Sequence, residues 1–138
     1  MSACEIMLQI GSSDNPRVFS LSEAQALFPL VSSITAAAYR ELNPVRQRLQ
    51  CMLPTNSLLP EVEAQYEAIV KRWAGKMERL GLVVKGMWLL NFDTGEGYLS
   101  WKFPELRLCH FYPYDQDFAS RRPLNEVVEE YDPDWARA

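Results

Sequence analysis

Histidine is almost missing from this chain: His110 is the single one in 138 residues. That scarcity removes most metal sites, because one imidazole with carboxylates scattered rather than spaced on facing helices makes no recognised ligand set. Cysteine is nearly as scarce. Cys4, Cys51 and Cys109 are odd in number and lack CxxC spacing, which argues against a disulfide framework and a zinc site and points to free thiols. No run approaches the ~20 apolar residues of a membrane-spanning helix. The opening stretch MSACEIMLQIGSSDNP has neither the basic start nor the long apolar run of a secretory signal, so a cytoplasmic address without membrane contact is expected. A basic stripe is absent too. The formal net charge is -4 and the densest charge cluster, NEVVEEYDPDW, is acidic; it would repel a phosphate backbone, which argues against nucleic acid as a partner.

What is present suits one globular domain, with 48% apolar and 23% charged residues. Residues 1–16 read as an N-terminal strand or loop. Residues 17–81 read as a helical hairpin. Ser20 with Glu23 three residues on forms a capping box, so a helix starts at Leu21. Its apolar stripe is Ala24, Leu27, Val31, Ile34, Ala38, Leu42, Val45, Leu49 and Met52. Pro29 and Pro44 fall inside it and predict a bend or break at each. After the turn-rich LPTNSLLP, Pro60 suits the first turn of a second helix, which ends at a left-handed cap on Gly81.

Beyond Gly81 the period changes to two, and residues 82–112 read as a β-meander: GMWLLNF, the glycine turn DTGEG, YLSWKF, and LRLCHFY after Pro104. DTGEG lacks the lysine and following helix of a phosphate loop. Residues 113–138 read as a loop and an acidic tail in which Trp135 has no evident intramolecular partner. The expected fold is α+β: an antiparallel helical hairpin, bent at prolines, packed on a three- to four-stranded antiparallel β-meander. Two long helices present more apolar stripe than such a sheet covers, which predicts a homodimer through the helices.

Two stretches resemble a bacterial family known only as domain of unknown function 2203. The first is RVFSLSEAQALFPLV, through Phe19, Leu21, Glu23, Ala24, Leu27, Pro29, Leu30 and Val31. The second runs from Trp101 and Glu105 through His110 to Phe118, Ala119, Arg121, Pro123 and Leu124. Together they span residues 17–124. Ser100, Pro104 and Cys109 stand where the family usually has cysteine, glycine and tryptophan. The resemblance implies a fold and a region of interest, and brings no activity with it.

Within that region, strand alternation places Leu106, Leu108, His110 and Tyr112 on one face and Arg107, Cys109 and Phe111 on the other. His110 is then either a hydrogen-bonded core residue or part of a ligand site in which Glu105, His110 and Arg121 converge at a pocket walled by Trp101, Phe103 and Tyr112. In the second case His110 is a general base and Arg121 a clamp for an anion. Cys109 and His110, adjacent in a strand, would point apart, which counts against a cysteine nucleophile. Arg122 reads as a solvated partner of Glu126, Glu129 or Glu130. No catalytic set and no cofactor motif emerges, so the reading leans away from an enzyme. It favours a small cytoplasmic binding or protein-interaction module; an anionic small-molecule or enzyme site around Glu105, His110 and Arg121 and a structural subunit of a larger assembly are the alternatives.

Overall fold

The computed structural model describes residues 17–137; the expected N-terminal strand and Cys4 lie outside them. The Ser20 hydroxyl accepts from the Glu23 amide at 3.2 Å, and the Glu23 carboxylate accepts from the Ser20 amide at 2.9 Å. This capping box opens helix α1, Leu21–Cys51, at the expected residue. Pro29 and Pro44 lie inside one uninterrupted helix, so the break expected as an alternative to a bend does not occur. Each proline frees the carbonyl four residues back. Those carbonyls belong to Gln25 and Arg40, which are exposed, and solvent can take them up.

Helix α2, Leu59–Arg79, carries Pro60 in its first turn and buries Val62, Ile69, Trp73 and Met77 against α1. Inside the hairpin the Trp73 indole N–H donates to the Thr35 hydroxyl at 2.9 Å. The left-handed Gly81, with φ +92°, stops the helix, and its carbonyl accepts from the Arg17 amide at 2.9 Å.

An antiparallel sheet follows in chain order: β1 (Val83–Gly86), β2 (Leu89–Asp93), β3 (Gly97–Lys102), β4 (His110–Pro113) and the two-residue β5 (Arg122–Pro123). The sheet has five strands because β1 and β2 are separate and Arg122–Pro123 adds β5 beside β4, and the third strand expected is shorter than its pattern suggests. GMWLLNF is not one strand. Trp88, at φ +64°, turns the chain between β1 and β2, a conformation unusual for a bulky side chain. Contacts with the rings of Trp73 and Tyr39, at 4.9 and 5.9 Å, hold the indole there. The strand expected over LRLCHFY begins only at His110. Before it, the Glu105 amide donates back to the Lys102 carbonyl at 2.8 Å and the Cys109 carbonyl accepts from the Leu124 amide at 2.8 Å. Turn and helix thus take up backbone groups that a ladder would need. Leu106 is accordingly 91% exposed, and of the four residues expected on one face only His110 and Tyr112 alternate as strand residues.

Leu90, Phe92, Leu99, Trp101 and Phe111 form the buried face of the sheet against the hairpin. Edge-on ring contacts fasten it, Phe28 to Trp101 and Phe19 to Phe92, both at 5.3 Å. The tail is also ordered, into α3 (Leu124–Tyr131) and α4 (Asp134–Arg137). Asp132, left-handed at φ +43°, turns the chain between them. Trp135 is therefore brought back to stack on Phe111 at 5.1 Å and is buried, which corrects its expected lack of an internal partner.

Gly97 tests this packing. A β-carbon there would lie 2.5 Å from the Phe111 ring and 2.6 Å from the Tyr112 carbonyl, whereas one at Gly86 meets nothing closer than 3.8 Å. Chemical denaturation of Gly97→Ala should show a loss of about 2–3 kcal/mol, and Gly86→Ala a loss under about 1 kcal/mol.

Candidate functional site

Residues directly opposite on antiparallel strands share a face. The register sets Asn91, Ser100 and His110 in one row and Asp93, Tyr98 and Tyr112 in the next, on the face turned away from the hairpin. This face is polar yet largely covered. The Asn91 side-chain amide donates to the Tyr112 hydroxyl at 2.5 Å, reaching from β2 past β3 to a residue of β4. Asn91 and Ser100 are fully buried, and neither Asn91 Oδ1 nor Ser100 Oγ has a protein partner.

Tyr98 packs between Tyr112 and Tyr114, at 5.6 and 5.1 Å, and the Tyr114 hydroxyl donates to the Asp93 carboxylate. Burial raises the Tyr98 and Tyr112 phenols above their ordinary value. Burial and the bond to Asp93 push Tyr114 up to about 12. All three therefore keep their protons at neutral pH, and none serves there as a base.

The turn after β3 brings three of the four candidate residues into direct contact. The Trp101 indole N–H donates to the Glu105 carbonyl at 2.7 Å. The Glu105 carboxylate accepts from Arg121 Nη1 and Nη2, each at 3.0 Å, and from the Lys102 amide at 2.9 Å. Arg121 also lies over the Phe118 ring at 4.0 Å. Burial raises the affinity of Glu105 for a proton, but Arg121, the Lys102 amide and nearby His110 outweigh it, so the carboxyl sits below its ordinary value. His110, half-buried, is thus within electrostatic reach of the pair.

These residues meet without opening the expected pocket. Trp101 and Tyr112 are 0% and 4% exposed and offer no free wall, and the paired donors of Arg121 already hold a carboxylate. Arg122 meets solvent-facing Glu130 at 2.6 Å and Glu126 at 4.0 Å, a surface network of the kind expected.

An apolar cleft lies instead beside the segment that precedes β4. A cleft of about 580 Å³ separates the first turns of α1, the 106–109 segment and α3. Its wall is mainly apolar, through Leu21, Phe28, Leu108, Leu124 and Val128, with Gln25, Arg107, Asn125 and Glu129 supplying polar groups and Cys109 a thiol. None of Glu105, His110 and Arg121 lines it. The exposed Cys109 sulfur stands 3.6 Å from His110 Nδ1. The two were expected to point apart, but Cys109 precedes β4, so strand alternation does not govern it.

Asn91 and Ser100 escaped notice in the sequence because each is an unremarkable polar residue. Counting back from the DTGEG turn along both strands would have paired them. No comparable signal exists for the cleft, whose three walls lie far apart in the chain. Among the described residues no group of three or more His, Cys, Asp or Glu is placed to hold a metal ion, and no helix is long and apolar enough to cross a membrane. A family model described as an uncharacterized conserved protein, DUF2203, matches residues 17–124. Neither the curated proteins nor the solved structures yield a match.

The Glu105–Arg121 pair carries a prediction with a definite sign. A carboxyl whose folded-state value is lowered stabilises the fold at neutral pH, and that contribution is lost as pH falls through the carboxylate range. Glu105→Gln should cost about 1–2 kcal/mol at pH 7. Denaturation curves of variant and parent should then converge as the pH falls below the ordinary carboxyl value of 4.5.

Proposed function

The chain belongs to the DUF2203 family, and on that premise we propose that it is a small cytoplasmic binding module, not an enzyme, which takes an apolar small molecule with a polar end into the cleft between α1, the 106–109 segment and α3. The observation that carries this reading is the cleft itself. Its volume of about 580 Å³ falls within the roughly 300–1,000 Å³ of small-molecule sites, and its apolar wall with few polar groups matches their usual chemistry. Gln25 and Asn125, exposed on α1 and α3 at the rim, are placed to orient the polar end. An anionic site centred on Arg121 is less well supported, because Glu105 already neutralises that guanidinium from 3.0 Å.

An anilinonaphthalene sulfonate dye is a direct probe. It should bind saturably at one site per chain, and Gln25→Trp and Asn125→Trp, which fill the cleft from exposed positions, should each weaken binding by about tenfold or more, equivalent to ~1.4 kcal/mol. Unchanged affinity in both variants would refute the reading.

We further propose a homodimer through the hairpin. Leu53 and Leu58, close together at the hairpin tip, are 70% and 52% exposed, and a second copy packed on the tip would cover both. Light scattering should give twice the chain mass at micromolar concentration, and the monomer mass for Leu53→Lys/Leu58→Lys.

A further inference from the structure

The cleft wall contains a nucleophile, and a base stands next to it just outside the wall; the ligand-binding reading of the cleft uses neither. Cys109 is exposed, lines the cleft, and holds its sulfur 3.6 Å from His110 Nδ1. A thiol and an imidazole within reach of each other, with the imidazole placed by a third group, is the arrangement from which activated cysteines are built. Here the imidazole is placed by its backbone position at the start of β4 rather than by a hydrogen-bonded third side chain, the carboxylate oxygens of nearby Glu105 being taken by Arg121 and the Lys102 amide. The backbone around the pair is also held. The Cys109 carbonyl accepts from the Leu124 amide at 2.8 Å, and His110 is in register with Ser100 on one side and Pro123 on the other. The thiol is presented from a fastened segment rather than a free loop.

We propose that Cys109, with His110 as its base, captures an apolar α,β-unsaturated carbonyl compound covalently in the cleft. This rests on the reading of the cleft as a small-molecule site and names the class of molecule. The chemistry balances without a co-reactant. As the sulfur forms a bond to the β-carbon, the thiol proton passes to His110 Nδ1 and the alkene π pair moves onto the carbonyl as an enolate. The imidazolium then returns the proton to the α-carbon, leaving a neutral thioether whose added mass is that of the intact electrophile. Among the described residues a disulfide cycle has no resolving thiol near Cys109, since the other cysteine there is Cys51. Cys51 ends α1, whereas the cleft meets α1 at Leu21, Gln25 and Phe28; at ~1.5 Å per residue this puts Cys51 roughly 35 Å along the helix from the nearest cleft residue, Phe28.

That separation makes Cys51, also exposed, an internal control. In the full chain carrying Cys4→Ser, alkylation of Cys109 and Cys51 by two methyl ketones, a short pentenone and a long-chain nonenone, would be followed by peptide mass mapping. Cys109 should react at least about tenfold faster than Cys51, and the nonenone should be preferred over the pentenone at Cys109 by about tenfold and not at Cys51, the four extra methylenes being buried only in the cleft. His110→Gln should bring the Cys109 rate close to that of Cys51 while leaving Cys51 and dye binding unchanged. Equal rates at the two thiols would overturn the proposal even if the cleft still binds dye, and so would fast reaction at Cys109 without preference for the long chain. Loss of the chain-length preference together with failure of dye binding would overturn the cleft reading as well.

Discussion

The hydrogen bond from the Trp101 indole to the Glu105 carbonyl joins the two halves of this molecule's design. On one side of it, the Trp101 ring is fully buried in the core, edge-on to Phe28 of α1. On the other, the turn it holds aims the Glu105 carboxylate at Arg121 and the Lys102 amide. A buried indole N–H without a partner carries a cost of about 1–3 kcal/mol, so the burial of Trp101 and the placing of Glu105 reinforce each other. The core thereby determines where the charged pair sits.

From that point the outer face and the cleft follow. The turn at Glu105 ends pairing with β3 early, and the chain does not rejoin the sheet until His110. The intervening residues 106–109 are left to wall the cleft instead of extending β4. Were the segment a regular strand, Cys109 would be directed away from His110 and Leu106 would lie on the sheet. The irregularity is thus what brings a thiol, an imidazole and an apolar cavity together, while the outer face is closed by Tyr112 reaching to Asn91.

Much of the fold was legible because local rules and tertiary packing agree there. The capping box at Ser20, the two helical stripes and the left-handed Gly81 all lie where spacing and turn chemistry place them. The departures came where packing overrides a local preference. Trp88 adopts a turn conformation that its own sterics disfavour because Trp73 and Tyr39 receive its ring, and Trp135 is drawn out of an apparently free tail by Phe111. Of the candidate residues, Glu105 and Arg121 came together as a pair, in which Arg121 Nη1 and Nη2 both donate to the Glu105 carboxylate.

By itself the sequence determined the α+β class, the start of α1 at its capping box, the stop of α2 at Gly81 and the hairpin around DTGEG, because period, caps and turns act over a few neighbouring residues. Tertiary structure alone decided that Arg121 is taken up by Glu105, that the apolar cleft forms beside the 106–109 segment, and that Cys109 faces His110. Those outcomes depend on contacts between α1, the 106–109 segment and α3, which are distant in the chain and are brought together by burial of the shared aromatic core.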